Sequence, residues 1–547
     1  MQNRVVIKLQ TVPANVVINA TILSVMLAFF LSPLPAIAQA FTDLKDGLVD
    51  YSKADIEPGK PCEALNGYIS NEIVRIKAEK TEAAGQTPKY CRVTGVLTPE
   101  IAFEVGLPAR WNGRFYMFGN GGLAGQALDD PFHVAQLNAA LQKGFAVAHT
   151  NTGHDARREP GGTFVMSNPQ KAIDYAWRAV HLTAVTAREI TAYYYSKPVS
   201  HAYWNSCSNG GRQGLIEAQR YPDDFDGIVA NSPWLNQTGF TVGVMWNQTA
   251  ISETPVTEAQ LELVADKVME KCDAIDGLKD GLIDDPRQCP FDPSRDVPSC
   301  KAGSNGKDCL TTAQATAIAK IYSGPLSNGK HIFPGFEPGS EAVTSLFGGG
   351  TGSGWMNVIV SARPEINSAD FNLAENIMRY LVFEPPRPRY DYRNFDFDHD
   401  IYLLKNWGRL ADARDPDLSV FRRHGGKLIL THGWSDAILQ PGGSVDYYEQ
   451  AVAENGPKTG DFFRLFMAPG MAHCGGGTGP NLFDPVTAII NWVEQGRTPD
   501  SMTASLVKNN KVVRTRPLCP YPKVARYLGK GSIDSAANFH CVMPLNN

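Results

Sequence analysis

The chain has 547 residues, of which 43% are hydrophobic and 20% charged, so its composition is that of an ordinary soluble globular protein. This length suffices for one large domain with an insertion, or for two to four average domains. The net charge of −5 is small for this size and long basic runs are missing from the sequence, which argues against nucleic acid as a partner.

The N-terminus has the pattern of a secretory signal peptide. Arg4 and Lys8 precede an apolar stretch over 16–31, and an Ala-Ile-Ala motif follows. We expect cleavage after Ala40, which removes residues 1–40. A membrane anchor is the alternative, but polar residues and prolines interrupt the stretch, and no later segment reaches the roughly 18 apolar residues of a membrane span. The sequence therefore predicts a secreted or periplasmic protein that is free of the membrane after cleavage.

Ten cysteines occur in the chain, and an even number in an exported protein predicts disulfides, although spacing alone does not fix the pairing. Zinc binding is the competing interpretation, but the sequence contains no C-x-x-C motif. Neighbouring pairs that would close short loops are Cys272–Cys289, Cys300–Cys309 and Cys519–Cys541.

Strand and helix patterns alternate in the segment after Cys91. Alternating or apolar runs predict strands at 92–97, 101–107, 115–118 and 143–150, and apolar residues at helical spacing predict one long helix over 172–195. Strands that alternate with helices indicate an α/β protein with a mainly parallel sheet.

This alternation is interrupted once. From about residue 234 the sequence is rich in Gly, Pro, Asp and aromatic residues and has no regular strand–helix rhythm, whereas buried strands return at 427–433 and 463–468. We therefore predict an α/β core formed by residues 41–233 and 419–547, with a lid domain at residues 234–418 inserted between its two parts.

Ser208 lies on a predicted turn between a strand-like aromatic run and a helical run at 212–220. A serine on such a turn, followed two residues later by glycine, is the pattern of a nucleophile elbow. Small residues are needed there because the backbone is strained and the hydroxyl projects above the sheet. Turns of this kind are commonly rich in Ser and Gly, so the motif gains weight only if the chain also supplies an acid, a base and an oxyanion hole.

An acid and a base follow Ser208 in the order that α/β-hydrolases use. Asp436 comes shortly after the predicted strand at 427–431, and His473 follows the strand at 463–468. Both are thus placed at strand ends, where such sheets expose their sites. Asp436 could instead be a turn residue, and His432 competes as the base. His432 precedes the acid, so the order Ser–Asp–His favours His473.

Cys207 directly precedes the predicted nucleophile, and Cys474 directly follows the predicted base. If Ser208 and His473 touch, the two cysteines lie within the Cα separation that a disulfide accepts. We therefore predict a Cys207–Cys474 bridge that fixes the base beside the nucleophile. Two unrelated buried cysteines, the alternative, would not explain why both flank the proposed partners.

The oxyanion of a tetrahedral intermediate needs two backbone N–H donors. One prediction is the N–H of Asn209, directly after the nucleophile. The second is the N–H of Gly122, in the glycine loop at 119–122 that follows an early strand. A phosphate-binding loop is the alternative, but the sequence has neither G-x-G-x-x-G nor a following Lys-Ser/Thr.

Five aspartates crowd the segment 273–285, where glycines bend the chain. Such density suits Ca²⁺, which prefers hard oxygen ligands, although the spacing is not that of an EF-hand. A solvated acidic turn is the alternative. Since the segment lies between Cys272 and Cys289 and far from the triad in sequence, we predict a structural calcium ion.

Together these features resemble the tannase/feruloyl esterase family across nearly the whole mature chain. The resemblance rests on the following motifs: Cys207-Ser208-x-Gly-Gly, Gly433-x-x-Asp436, Pro469-Gly-Met-x-His473-Cys474, the calcium loop Cys-Asp-x-x-Asp-Gly-x-x-Asp-Gly, and the C-terminal Arg514-Thr-Arg-Pro-Leu-Cys-Pro-Tyr-Pro522. It implies an α/β-hydrolase fold with a large lid-domain insertion between the nucleophile and the catalytic acid. It also implies a calcium site formed by Asp273, Asp276, Asp280 and the carbonyls of Leu278 and Leu282. The disulfides that it implies are Cys62–Cys91, Cys207–Cys474, Cys272–Cys289, Cys300–Cys309 and Cys519–Cys541.

The expected function is that of an exported serine esterase acting on small-molecule esters of hydroxycinnamic, gallic or related aromatic acids. Terephthalate monoesters are the alternative substrates within the family. They are disfavoured because Asp370-Phe371 lies near the position where the family's terephthalate monoester hydrolases have a carboxylate-binding arginine, and Leu439 stands where those enzymes have a phenylalanine. Ser206 replaces the family's usual glycine, with little expected effect. A calcium-stabilised binding protein without turnover is the alternative of another class.

Overall fold

The computed structural model describes residues 49–544 apart from residues 52, 253, 343–353 and 362–367. The predicted signal peptide therefore lies outside the described residues. Within them, no helix is both long enough and apolar enough to cross a membrane.

Nine strands form the main sheet, and three small two-stranded sheets accompany it. The main strands are β1 (Ile73–Thr81), β2 (Tyr90–Leu97), β3 (Ile101–Pro108), β4 (Arg114–Met117), β5 (Ala146–Thr150), β6 (His201–Ser208), β7 (Gly227–Pro233), β10 (Lys427–Gly433) and β11 (Phe463–Ala468). The small sheets pair β8 (Leu326–Ser327) with β9 (Lys330–His331), β12 (Met502–Lys508) with β13 (Lys511–Leu518), and β14 (Val524–Tyr527) with β15 (Phe539–Val542).

The main sheet has the strand order β1-β2-β3-β5-β4-β6-β7-β10-β11. Its first three pairings, from β1 to β5, are antiparallel, and all pairings from β5 to β11 are parallel. The predicted α/β protein with a mainly parallel sheet is therefore confirmed. Because parallel strands end at the same edge, the loops after β4, β6, β10 and β11 meet there.

The helices are α1 (Pro131–Gln142), α2 (Phe164–Ser167), α3 (Gln170–Ile173), α4 (Ala179–Tyr195), α5 (Asn209–Arg220), α6 (Gln237–Ile251), α7 (Glu258–Cys272), α8 (Pro293–Asp296), α9 (Thr312–Ser323), α10 (Ala369–Asn376), α11 (Lys405–Ala411), α12 (Ser419–Arg423), α13 (Gly442–Asn455) and α14 (Pro485–Gln495). The long helix predicted over 172–195 is present but contains a π-helical turn at Asp174–Arg178 between α3 and α4.

Helices cover both faces of the sheet. Alternate strand residues enter two separate apolar clusters, so that Trp204 faces one cluster and Tyr203 the other. Side chains of α4, α5 and α13 pack on the Trp204 face, and side chains of α1 and α14 pack on the Tyr203 face. This burial on both faces explains why the parallel strands are nearly continuous apolar runs.

The described residues between Pro233, where β7 ends, and Lys427, where β10 begins, add no strand to the main sheet. The regular structure in the described part of this segment is helices α6 to α12, a π-helical turn at Ile377–Leu381, short 3-10 turns and the β8–β9 hairpin. It contains most of two further apolar clusters. We retain the name lid for residues 234–418, and its boundaries as a domain stay a prediction.

Five disulfides join the ten cysteines, and they are the five pairs that the resemblance implies. The Cys207–Cys474 bridge spans 267 residues and ties the end of β6 to the loop after β11. The other four close loops within 29 residues or fewer.

Candidate active site

Ser208 is the last residue of β6, and α5 begins with the next residue. Its backbone has φ 63° and ψ −126°, a conformation that side-chain-bearing residues rarely adopt. The N–H of Trp234 donates to the Ser208 carbonyl at 2.9 Å and holds the turn to the end of β7. The strained turn predicted for a nucleophile elbow is therefore present at Ser208.

Two glycines allow α5 to pack this closely against the sheet. A Cβ on Gly210 would lie 2.0 Å from the Ser206 hydroxyl oxygen. A Cβ on Gly211 would lie 2.8 Å from the Asn231 carbonyl oxygen in β7. Ser206, where the family usually has glycine, is thus accommodated because Gly210 opposite it has no side chain.

Asp436 and His473 form a buried pair at the same edge of the sheet. His473 Nδ1 lies 2.7 Å from Asp436 Oδ2, and both side chains are almost completely buried. The other oxygen, Asp436 Oδ1, accepts the N–H groups of Ile438 at 2.8 Å and Leu439 at 2.9 Å. These bonds fix the carboxylate so that it can orient the imidazole.

His432, which competes with His473 in the sequence, contacts the same acid from the other side. Its Nε2 lies 3.1 Å from Asp436 Oδ2, and its Nδ1 lies 2.7 Å from the Ser444 hydroxyl. Burial acts to raise the pKa of the Asp436 carboxyl, but the imidazoles of His473 and His432 outweigh it and hold the pKa well below its usual range. The acid therefore stays ionised between two imidazoles.

The Cys207–Cys474 disulfide brings the predicted nucleophile and base together. Its Cα atoms are 5.8 Å apart, and each cysteine is bonded directly to one of the two residues. A ring nitrogen of His473 lies within 4.8 Å of both cysteine sulfurs. The bridge thus places His473 beside the elbow, as expected from the positions of the cysteines.

The predicted oxyanion donors lie at the ends of neighbouring strands, β4 and β6. Asn209 opens α5, and the first N–H groups of a helix have no partner within it. In the glycine loop, the Gly121 N–H donates to Gln126 at 3.0 Å, whereas the described residues supply no acceptor for the Gly122 N–H. The geometry therefore favours Gly122 over Gly121 as the second donor.

Tyr175 and Arg212 support both donor segments, and sequence reasoning missed them. The Tyr175 hydroxyl lies 3.0 Å from the Gly122 carbonyl and 3.3 Å from Asn209 Oδ1. The fully buried Arg212 donates from Nε to Asn209 Oδ1 at 2.7 Å and from Nη1 to the Ala411 carbonyl of the lid at 2.9 Å. A charged residue one turn into the elbow helix was the available signal for Arg212. Tyr175 depends on the unpredicted π-helical turn that carries it.

Apolar side chains from the core and the lid meet around these loops. Leu123, Trp234 and Leu439 belong to one cluster with Phe371 of α10, and Leu373 of the same helix packs against it. A Cβ on Gly122 would lie 3.7 Å from Leu373 Cδ2. The lid helix therefore reaches the glycine loop and gives the site an apolar wall.

The sequence model of the tannase and feruloyl esterase family matches residues 82–542. The chain belongs to this family. It is 32% identical over 528 residues to the mono(2-hydroxyethyl) terephthalate hydrolase of Piscinibacter sakaiensis, covering 86% of this chain and 87% of that protein. It is also 32% identical over 494 residues to a probable feruloyl esterase B-1 of Aspergillus oryzae, covering 83% and 84% of the two chains.

A solved structure supports the same family fold. The crystal structure of feruloyl esterase B from Aspergillus oryzae is similar at a TM-score of 0.77 and 29% identity, covering 88% of this chain and 99% of that one. Together with the sheet order, this confirms the predicted α/β-hydrolase class of fold.

The aspartate loop follows α7 and is closed by the Cys272–Cys289 bridge. It also contacts the C-terminal segment. Arg516 forms an ion pair with Asp280, and Arg514 donates to the Asp280 carbonyl at 2.9 Å. Asp273 Oδ1 accepts the N–H groups of Asp280 and Gly281. The loop is therefore joined to β13, a contact that the sequence did not predict.

The donor chemistry of this loop fits a calcium ion. Burial and the neighbouring Asp280 raise the pKa of Asp276 to about 6, and burial and Asp276 raise that of Asp284 to about 8, so negative charge is in excess. Carboxylate and backbone carbonyl oxygens are the ligands that Ca²⁺ prefers. Among the described residues, the aspartates of this loop do not bring three carboxylates within 4.8 Å of one another, and the carbonyls of Leu278 and Leu282 stay predicted ligands.

Proposed function

We propose that this protein is a serine esterase that hydrolyses esters of aromatic acids through an acyl-enzyme, with Ser208 as nucleophile, His473 as base and Asp436 as the acid that orients it. Membership of the tannase and feruloyl esterase family supports carboxylic ester hydrolysis. The observation that carries the residue roles is the His473–Asp436 pair, held beside the elbow by the disulfide that flanks Ser208.

In the proposed reaction, His473 accepts the Ser208 proton while the hydroxyl oxygen attacks the ester carbonyl. The N–H groups of Asn209 and Gly122 bind the oxyanion of the tetrahedral intermediate. Asp436 stabilises the imidazolium, which then gives its proton to the departing alcohol. Water attacks the acyl-enzyme in the same way and releases the acid.

The apolar wall around the site supports an aromatic acyl group. Trp234 and Leu373 of the lid and Leu123 and Leu439 of the core supply flat and branched surfaces of the kind that bind a ring. The names of the relatives and of the family supply candidates, which are feruloyl esters, tannins and terephthalate monoesters. A terephthalate monoester carries a free carboxylate, and the buried Asp370 carboxyl in α10 offers it no positive partner. We therefore favour feruloyl, galloyl and related esters.

Replacement of Ser208 by alanine tests the nucleophile. We expect kcat on methyl ferulate to fall by on the order of 10⁴-fold or more, with the fold retained, because a triad without its nucleophile keeps only the oxyanion hole and binding. A fluorophosphonate should label the wild type but not the variant. Full activity in Ser208→Ala would contradict the proposal.

A panel of methyl ferulate, methyl gallate and mono(2-hydroxyethyl) terephthalate tests the acyl group. The ratio of kcat/KM values measures the difference in transition-state binding. We expect the hydroxycinnamate or gallate ester to exceed the terephthalate monoester by at least about tenfold, which corresponds to one favourable contact of about 1.4 kcal/mol.

We further propose that the protein is exported and carries one structural calcium ion. Five disulfides support export, because such bonds persist in oxidising compartments. Cell fractionation tests the location. Calcium chelation should lower Tm in the wild type and have little effect in Asp276→Asn. An equal effect on both proteins would place the calcium elsewhere.

A further inference from the structure

Three side chains with metal-binding chemistry converge at the far end of the elbow helix, away from Ser208. Glu217 lies on α5, His181 lies on the neighbouring α4, and Asp224 lies in the turn that leads into β7. One ligand atom from each lies within 4.8 Å of the other two. Among the described residues, one other group of this kind occurs, and its two cysteines are joined in a disulfide.

No described side chain or backbone N–H donates a hydrogen bond to the Glu217 carboxylate, which faces the carboxyl group of Asp224. The Glu217 side chain is completely buried, and neither Oε1 nor Oε2 has a hydrogen-bond partner among the described residues. A buried carboxylate without a partner is costly, so a proton or a cation must neutralise it. The carboxylate is directed towards His181 and Asp224, which makes a shared cation a suitable partner.

The nearby arginines do not neutralise the Glu217 carboxylate. Arg188 donates to the carbonyls of Asp223 and Asp224 at 3.2 Å each, and its Nη1 lies 3.9 Å from Asp224 Oδ1. Arg220, three residues after Glu217, donates to the Arg409 carbonyl at 3.0 Å. Neither guanidinium forms a hydrogen bond with the Glu217 carboxylate.

An ion can reach the group from solvent. The His181 ring is half-buried and stacks on the half-exposed Tyr221 ring, with centroids 3.7 Å apart. His181 Nδ1 lies 2.6 Å from Asp224 Oδ2, whereas adjacent ligands of a tetrahedral zinc ion lie about 3.4 Å apart. For an ion to bind, the distance between His181 Nδ1 and Asp224 Oδ2 must therefore increase by less than about 1 Å.

We propose that His181, Glu217 and Asp224 form a second metal site, which takes a divalent transition-metal ion such as Zn²⁺. One imidazole nitrogen and two carboxylate oxygens, with water in the fourth position, form a ligand set that zinc accepts. The ion would join α4, α5 and the turn before β7. It would therefore clamp the helix that begins directly after the proposed nucleophile, at the end opposite to the chemistry.

Calorimetric titration of ZnCl₂ into the tag-free protein, with excess Ca²⁺ present to occupy the aspartate loop, tests this site. We expect one zinc site in the wild type, with a rise in Tm on saturation. Glu217→Gln keeps the shape of the side chain and can donate to Asp224, so the variant should fold. Its zinc affinity should fall at least about tenfold, because loss of even an outer partner of a metal site costs about 10–100-fold.

His181→Gln should show the same loss, and Co²⁺ should give visible absorption bands in the wild type that both variants lack. His399→Gln is the matched control, because His399 and Asp396 form an exposed pair at 2.9 Å that gains no third ligand from the described residues. Its zinc titration should equal that of the wild type. If the wild type binds no zinc, or if Glu217→Gln binds it equally well, Glu217 is neutralised by a proton and the proposal is wrong.

Discussion

Two buried aspartates near the lid and the site illustrate how surroundings decide the charge of a single residue. Asp436 lies between the imidazoles of His473 and His432, and its pKa is held below the usual range although burial opposes this. Burial raises the pKa of Asp370 to about 7, because its partners among the described residues are a serine hydroxyl and a backbone N–H, and no described cation contacts it. An aspartate is therefore ionised in one place, whereas in the other it takes up a proton near neutral pH.

His432 is expected to act as a positioning residue for Asp436. In His432→Leu the acid loses a donor, and kcat should fall about 10–100-fold with KM little changed, because a hydrogen bond to a charged group contributes about 1.5–3 kcal/mol. His432→Gln can still donate to Asp436 and should recover most of the activity. Equal kcat values in the two variants would assign His432 a packing role only.

Asp370 is expected to make stability depend on pH. Its folded pKa of about 7 exceeds the unfolded value, so folding is favoured at low pH and this contribution is lost as pH rises through 7. Asp370→Asn has no carboxyl group to ionise, so the variant does not lose this stability as pH rises. The variant should therefore gain about 2–3 kcal/mol relative to the wild type between pH 5 and pH 8. Urea unfolding at both pH values measures this.

Asp417→Asn is the control for that measurement. Asp417 is an exposed residue at the end of the lid, and the Ser419 hydroxyl and backbone N–H keep its pKa below the usual range. Its replacement should shift stability equally at pH 5 and pH 8. If the effect of Asp370→Asn on the free energy of unfolding were also equal at pH 5 and pH 8, the raised pKa of Asp370 would be contradicted.

At the scale of elements, the elbow helix α5 connects the chemistry to the rest of the fold. Its first residue supplies a proposed oxyanion donor, and Arg212 in its first turn reaches the lid. The π-helical turn at Asp174–Arg178 places Tyr175 between the glycine loop and α5. Helix α5 is therefore supported by the lid, by the π-helical turn and by β7. The first two contacts can form only if the helix packs closely against β7.

Gly211→Ala tests that packing. The added Cβ would lie 2.8 Å from the Asn231 carbonyl oxygen and 2.9 Å from Pro233 Cα, both backbone atoms that cannot rotate away. We expect a loss of about 1–3 kcal/mol in stability and a lower kcat as α5 moves from β7. Gly443→Ala in α13, whose Cβ would meet Phe333 only at 3.8 Å, should leave both quantities unchanged.

At the scale of the whole molecule, one covalent bond joins the two parts of the core across the lid. Cys207 lies near the end of β6 in the first part of the core, and Cys474 lies in the loop after β11 in the second part, 267 residues later. The chain between them includes the whole lid. The position of His473 relative to Ser208 thus depends on this bond as well as on the pairing of β7 with β10.

The double variant Cys207→Ala/Cys474→Ala is expected to lose activity before it loses its fold. Freed of the bridge, the loop after β11 can move, so kcat should fall at least about tenfold, and stability should fall by roughly 2–5 kcal/mol. The control is Cys300→Ala/Cys309→Ala, which opens a bridge of nine residues in the lid and should keep kcat. Retained activity in the first variant would show that the sheet alone positions the base.

The sequence by itself determined the order Ser208, Asp436, His473, their places at strand ends and the cysteines beside them, because each depends on a local pattern of strand, turn and neighbour. Only the tertiary structure decided which groups support them. His432 is a second partner of Asp436, Tyr175 reaches the glycine loop from a π-helical turn, and Arg516 pairs with Asp280 from 236 residues away. Contacts of this kind join residues that are far apart in the chain and that no repeating pattern in the sequence connects. They form only when the sheet and its helices have packed.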